Sequence, residues 1–381
     1  MAAQGLSERI TGIPRLRKTR DKKIKFLVVR PDRIGDVVLS TPVLEALKQN
    51  YPAGEIHMLV RDSVVPVVRH NPHLDRIIVY RPNSVHWGIA GFIRLWRAIR
   101  RERYDIAIVL QVQAKPSLAV FLAGIRYRIG PYSKWYSYLI FNRGKRQSRS
   151  SVAMHETDYN LMLLRRLGIR VPARKISPHV TVDADAKDRM RNHARAAGLG
   201  EAEPFVVVHP GMGGSAMNWP EGYYVDLIKR IAVRGTHVFV TGVSRERALV
   251  ERVAAEARAL GPSLPVHPYV GEDTDSGLSD FIALLSLSKV VVAPSTGPLH
   301  IATALGKRTV SFFSPIKVQS ALRWGPYSPE EGKHSVLVPD ALCGQDFKCA
   351  GPKCIFYFCM ERLGVDEALQ SVLHQLESEK T

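Results

Sequence analysis

Apolar residues along this chain fall into two kinds of run, and the two kinds alternate. Short unbroken runs such as KIKFLVV (23–29), EIHMLV (55–60), RIIVY (76–80) and DIAIVLQ (105–111) have the length and continuity of strands buried on both faces. Between them lie VVLSTPVLEALKQN (37–50) and IRLWRAIRRERY (93–104), whose apolar positions recur at helical spacing. The first is predicted as one helix, the second as a helix ending at Tyr104. After a stretch containing Pro172 and Pro178 the pattern restarts. FVVVHPG (205–211), THVFVTG (236–242), KVVVAPSTG (289–297) and KRTVSFFSP (307–315) are apolar runs ending in Gly, Pro, Ser or Thr, separated by helix-compatible segments. VDEALQSVLHQLES (365–378) predicts a last helix. This alternation predicts an α/β protein with parallel sheets covered on both faces. The restart predicts two doubly wound, Rossmann-like domains joined near residues 170–185. Ligands of such sheets bind beyond the carboxyl ends of the strands, so the two sets of strand-end loops should face each other across a cleft.

Length and composition agree with that organisation. The 381 residues suit two domains, and 45% hydrophobic with 23% charged residues excludes wholesale disorder. The net charge of +19 changes the picture, because so basic a surface concentrates anionic partners: nucleic acid, anionic lipid, or a phosphorylated or carboxylated substrate. The charge is uneven. Residues 91–150 hold thirteen Lys and Arg against only Glu102 and Asp105, and the tail before Ile24 adds seven basic residues against two acids. The first half should therefore carry the larger anionic ligand, the competing reading being a solvated basic face. The opening thirty residues lack the apolar stretch of a secretion signal, and no segment has the length of apolar sequence that spans a membrane. A cytoplasmic location is expected.

Three loops carry candidate chemistry. In RPDRIGD (30–36), Gly35 would permit a tight turn and Asp36 would stand where that turn enters a helix. Asp36 could be an ordinary N-cap, or a general base aimed into the cleft; Asp32 is the less favoured alternative. HPGMGGSAMNWPEGYY (209–224) offers Gly211, Gly213, Gly214 and Ser215 between a strand and a helix. Exposed backbone N–H groups and the helix dipole there suit a diphosphate, although the spacing is not G-x-G-x-x-G, and Pro220 and Glu221 also suit a plain helix start. VVVAPSTGPLHIATALG (290–306) adds the hydroxyls of Ser295 and Thr296, close backbone approach at Gly297, and a second helix start. One turn into that helix, His300 reads more readily as a packed, hydrogen-bonded core histidine than as a catalytic one.

Taken in order, RPDRIGDVVLSTPVLEALK, YDIAIVLQ, HETDYNLMLLRRLGI, HPGMGGSAMNWP, VTGVSRER and PSTGPLHIATALG resemble the glycosyltransferase family that includes the ADP-heptose:lipopolysaccharide heptosyltransferases (family 9), over about Ile24 to Leu376. The resemblance implies a GT-B fold and a sugar transfer with inversion, needing neither cofactor nor metal. It implies Asp36 as general base, an acceptor domain over 24–175 after a basic tail (1–23), and a nucleotide-sugar domain over 176–345. A cysteine-containing segment and terminal helix occupy 346–381. Candidate donor contacts are Gly211, Gly213, Gly214, Ser215, Asn218, Arg245, Glu246, Ser295, Thr296, Gly297 and His300; candidate acceptor contacts are Arg33, Gln111 and Lys115. Glu246 could meet a ribose hydroxyl, or be a surface helix charge. The implied donor is ADP-heptose-like, and the implied acceptor an anionic glycolipid or oligosaccharide of lipopolysaccharide or related glycan assembly. Two positions depart from the family: Met217 stands where members often carry a lysine, and Ser295 where many carry an aspartate. The alternative reading is a basic binding protein on the same scaffold with weak or no transferase activity; a sugar-nucleotide epimerase of similar two-domain shape is a third.

The remaining motifs point away from a metal. Asp183–Asp185 and Asp273–Asp275 precede helical patterns and read as helix-start acids. The spacings in CGQDFKCAGPKCIFYFC (343–359) are looser than those of zinc ribbons, so free buried thiols are the default, with a small structural zinc or redox cluster as the alternative. In HWGIAGFIRLWRAIRRER (86–103), Trp87, Phe92, Ile93, Trp96 and Ile99 are interleaved with arginines. The helix body is expected to pack on the sheet, while its basic flank and the tail could hold the protein peripherally at an anionic membrane. Nucleic acid is not expected as a partner, because no nucleic-acid module is recognisable.

Overall fold

A computed structural model describes residues 23–378 apart from 173, 215, 260, 262 and 331. The basic tail expected over 1–23 thus lies outside the described residues, Lys23 excepted. The first half of the chain builds a five-stranded sheet from β1 (Lys25–Val29), β2 (Glu55–Arg61), β3 (Arg76–Tyr80), β4 (Ile106–Val109) and β5 (Tyr127–Ile129), in the order β3-β2-β1-β4-β5. The second half builds β6 (Phe205–Val208), β7 (His237–Val243), β8 (Val266–Gly271), β9 (Val290–Pro294), β10 (Arg308–Phe312) and β11 (His334–Leu337), in the order β11-β10-β9-β6-β7-β8. All pairings within both sheets are parallel. The central strands β1, β4, β6 and β9 are buried along almost their whole length, which is why their sequences are unbroken apolar runs. Strand order reverses between β1 and β4 and again between β6 and β9. Loops leaving those strands diverge, and each sheet opens a crevice there.

Helices cover both faces. The stretch predicted as one helix over 37–50 is two, α1 (Ile34–Val38) and α2 (Thr41–Asn50). Pro42 lies in the first turn of α2, where its missing N–H leaves nothing unsatisfied; inside a longer helix it would clash. α3 (Gly88–Arg101) begins earlier than expected and stops short of Tyr104, because Arg103 adopts a left-handed φ of 51° and turns the chain toward β4. There follow α4 (Ala114–Leu122), α5 (Glu156–Leu163), α6 (Ala184–Ala196), α7 (Glu221–Ala232), α8 (Arg247–Arg258), α9 (Asp275–Leu287), α10 (Gly297–Ala304) and α11 (Val365–Glu377). The terminal α11 packs Ala368, Leu369 and Val372 onto the second sheet.

The halves meet where α1 lies against α10. A Cβ on Gly35 would come within 2.6 Å of the His300 ring, and one on Gly297 within 3.0 Å of the Ile34 side chain. Neither glycine has a positive φ. Gly35 is therefore required by an approach between helices and not, as its sequence suggested, by a tight turn. Around this contact one apolar cluster is continuous from Val28 and Ile108 of the first sheet to Val207 and Val291 of the second.

Alanine ordinarily stabilises a helix by about 0.8–1 kcal/mol relative to glycine. Gly35→Ala should instead destabilise this protein by about 1–3 kcal/mol, because the His300 ring must be displaced. Urea unfolding checks the sign, and a stabilised variant would show that the two helices do not confine this position.

Candidate active site

β1 runs directly into Arg30, whose side chain is only 2% exposed. A buried guanidinium needs carboxylates, and the following loop delivers them. Arg30 pairs with Asp36, lies 3.7 Å from Asp32, and donates to Glu156 of α5 at 3.4 Å. Asp36 is accordingly not an N-cap. Arg33 holds that position without a side-chain bond, and Asp36 turns back from the first turn of α1 onto Arg30. Its side chain stays 18% exposed toward the cleft. Burial pushes the Asp36 carboxyl above the usual aspartate range against the pull of Arg30, and the Asp32 and Glu156 charges push the same way as burial. Such a shift favours a proton acceptor.

Glu156 is almost fully buried and is the hub of a second layer. Besides Arg30 it pairs with Arg149, and with Arg323 of the second half at 3.2 Å. Burial opposes its charge, but Arg149, Arg30 and Arg323 together hold its carboxyl below the usual glutamate range. The neighbouring residues of HETD clasp the same segment: His155 Nε2 lies 3.0 Å from the Gly325 carbonyl, and the Tyr327 hydroxyl donates to Asp158 at 2.6 Å.

Two cavities open on either side of the α1–α10 contact. The first, about 1120 Å³, takes Arg30, Asp36, Gln111 and Arg149 from one half and Thr296, His300 and Arg323 from the other. The second, about 920 Å³, is walled by Gly211, Gly213, Arg245 and Glu246 beside His209. Asp32, Arg33, Gly35, Thr296 and Gly297 line both. The structure thus gathers Asp36, Arg33, Gln111, Ser295, Thr296, Gly297 and His300 around the first space, and Gly211, Gly213, Arg245 and Glu246 around the second. His300 is buried as expected, yet its Nδ1 has no hydrogen-bond partner, and burial pushes its pKa down to about 3. Glu246 is no surface charge: its side chain is 14% exposed, packs on Gly211 and accepts from the Val243 N–H at 3.1 Å.

Other candidates fall elsewhere. Asn218 is occupied by scaffolding, donating to the Pro210 carbonyl at 2.7 Å and accepting from the Tyr224 hydroxyl at 2.9 Å. Gly214 lines neither cavity; its φ of 72° serves the turn. Lys115 lies over the Trp87 ring at 5.2 Å, away from both cavities. Ser215 is outside the described residues. Arg30, Arg149, Glu156 and Arg323 were missed; a signal was available for Arg30 alone, a charged residue following directly on a fully buried strand. Asp183 caps α6 through the Ala186 N–H, and Asp275 begins α9, paired with Arg69. Among the described residues no group of three or more His, Cys, Asp or Glu is placed to hold a metal ion. All four cysteines are free, but only Cys359 is buried, so the expectation of buried thiols is corrected for Cys343, Cys349 and Cys354. No described helix is long and apolar enough to cross a membrane.

Comparison with known proteins adds a family. The model described as "Glycosyltransferase family 9 (heptosyltransferase)" matches residues 92–349, so it begins within α3 and does not include the Asp36 loop. Lipooligosaccharide heptosyltransferase 2 of Haemophilus ducreyi is 22% identical over 83% of this chain and 88% of its own length. Among solved structures, E. coli ADP-heptose lipopolysaccharide heptosyltransferase II superposes with a TM-score of 0.74 at 20% identity, over 94% of this chain and 100% of that one. An E. coli heptosyltransferase solved with ADP gives 0.68 at 18% identity, covering 92% and 100%. The fold is the GT-B fold of these structures.

Glu156→Gln should leave three guanidiniums facing one another and cost about 3–5 kcal/mol, read by urea unfolding at neutral pH. Because the folded carboxyl titrates below its unfolded value, its contribution is complete above the unfolded pKa and is lost as pH falls through the folded one. The gap between wild type and variant should therefore close in acid; a gap indifferent to pH would refute the charge account.

Proposed function

The chain belongs to glycosyltransferase family 9, and from that premise we propose an inverting, metal-independent transfer of a heptose or similar sugar from an ADP-heptose-like donor to an anionic glycolipid or oligosaccharide acceptor of lipopolysaccharide or related glycan assembly. The observation that carries the reading is Asp36, a carboxylate of raised proton affinity whose open side faces a cleft shared by both halves. In this reading residues 24–175 take the acceptor and 176–345 the donor. Asp36 accepts the proton of the acceptor hydroxyl while that oxygen bonds to the anomeric carbon. On the opposite face the bond from that carbon to the diphosphate oxygen breaks, and the nucleoside diphosphate leaves with the electron pair. Arg30 orients Asp36 and keeps it ionised until the proton arrives.

The leaving charge needs a counter-charge, and fixed protein dipoles and cations can supply it without a metal. α10 points its N-terminus, with the N–H of Gly297, at the waist between the cavities. Arg245 lies over the glycine-rich loop, 3.4 Å from where a Gly213 Cβ would stand. Arg33 and Arg323 flank the first cavity. The donor's identity draws support from the solved relative that holds ADP and from another solved with ADP-2-deoxy-2-fluoro heptose.

Asp36→Asn should lower kcat by about 10²–10⁴-fold, with ADP affinity by calorimetry nearly unchanged. Transfer near the wild-type rate would remove Asp36 as the base. In the wild type, activity should be present at neutral pH and fall with unit slope as acid protonates Asp36, the inflection lying above the ordinary aspartate value. Exhaustive chelation should leave the rate unchanged; loss of transfer restored by a divalent ion would overturn the metal-free mechanism.

A further inference from the structure

On the outer side of the first half, large apolar side chains stand in solvent. Ile89 is 81% exposed, Trp135 79% and Leu139 71%, while Leu118, Phe121 and Leu122 make an outward stripe at helical spacing on α4. Their surroundings are continuous. α4 packs against α3 and against the short helix at 137–140. Lys115 bridges to Trp87, the Arg128 guanidinium lies 5.1 Å over Phe121 while its Nε donates to the Ile140 carbonyl at 2.6 Å, and Tyr138 stacks on Tyr132 at 4.4 Å. Tyr132 in turn lines the first cavity. The patch therefore runs from Trp87 to the lip of the cleft.

Its charge is one-signed. Between Ile106 and His155 there are eight Lys and Arg and no Asp or Glu. We propose that this face docks on an anionic lipid bilayer, with Trp87, Ile89, Leu118, Phe121, Leu122, Trp135 and Leu139 entering the headgroup boundary and the flanking cations meeting lipid phosphates. Aromatic and aliphatic tips ringed by Lys and Arg are what such an interface selects. Leu and Ile have no face on which a base could stack, which disfavours nucleic acid. A second copy would present the same charge and be repelled. Docked this way, the acceptor side of the cleft opens next to the lipid surface. This goes beyond the transfer reading and does not depend on it.

The test is sedimentation of the full chain with vesicles of phosphatidylcholine alone or mixed with phosphatidylglycerol. Wild type should bind only the anionic vesicles and release in high salt. The variant Leu118→Glu/Leu122→Glu/Trp135→Glu/Leu139→Glu should bind at least about tenfold more weakly, with an unchanged melting temperature and unchanged transfer to a lipid-free acceptor. Variant binding equal to wild type would overturn the proposal by assigning attachment to other cations of the chain. A wild type that dimerises in sedimentation velocity while the variant stays monomeric would overturn it in favour of self-association. Because the vesicle readout needs no donor sugar, its failure leaves the transfer reading intact.

Discussion

An arginine buried at the end of a central strand is the constraint from which the site follows. Arg30 has almost no access to water, so its charge must be met by protein. Asp36 meets it from six residues away and Glu156 from across the fold. Glu156 is more buried still and demands cations of its own, and Arg149 and Arg323 answer. Since Arg323 belongs to the second half of the chain, balancing one charge at the tip of β1 ties the halves together. The carboxylate proposed for catalysis sits at the open end of that relay. Its proton affinity is therefore set by the same burial and charges that hold the cleft in shape.

Packing and electrostatics reinforce each other here. Gly35 and Gly297 let two helices approach too closely for any side chain at those positions. That approach places Asp36, one residue after Gly35, against the helix start that follows β9. It also divides the space between the halves into two cavities with a common waist. A donor with its nucleotide in one cavity and its sugar in the other would thread that waist with its diphosphate, where backbone N–H groups are already fixed. Reorganisation during the reaction is then small, which is the condition under which such dipoles are most effective.

How much of this the sequence displayed depended on whether a residue's partner was near in the chain. β1, β4, β6 and β9 were legible because burial on both faces leaves unbroken apolar runs. β5, β8 and β11 were not, being short or half-exposed edge strands of mixed composition. The break at Pro42 was visible as a residue and overridden by the apolar periodicity around it. Asp36 stood out because it closes the loop that leaves an apolar strand and enters a helix. Glu156 and Arg323 did not, because Glu156 is explained by Arg30, more than a hundred residues away, and by the clasp to Arg323 of the second half; Arg149 follows from Glu156, its partner seven residues on. Asn218 shows the opposite error. It belongs to the glycine-rich segment by sequence, yet both ends of its amide are spent on Pro210, Trp219 and Tyr224.

The departure at Met217 fits the same logic of charge placement. Met217 is partly buried against the apolar cluster beneath α7, and its backbone N–H donates to Gln319 at 3.2 Å. A lysine there would contribute a flexible point charge reaching toward the glycine-rich loop. Arg245 approaches that loop from the other wall, and a guanidinium offers two parallel donors to an oxyanion where an ammonium offers one centre. Arg245, on the proposed reading, supplies a cation beside the diphosphate where Met217 supplies none. On the proposed reading the exchange bears on how the donor is oriented more than on whether it is held. Ser295 lines the first cavity and not the second: on the proposed reading, with an aspartate replaced by a neutral hydroxyl beside Thr296, that cavity repels a phosphate less.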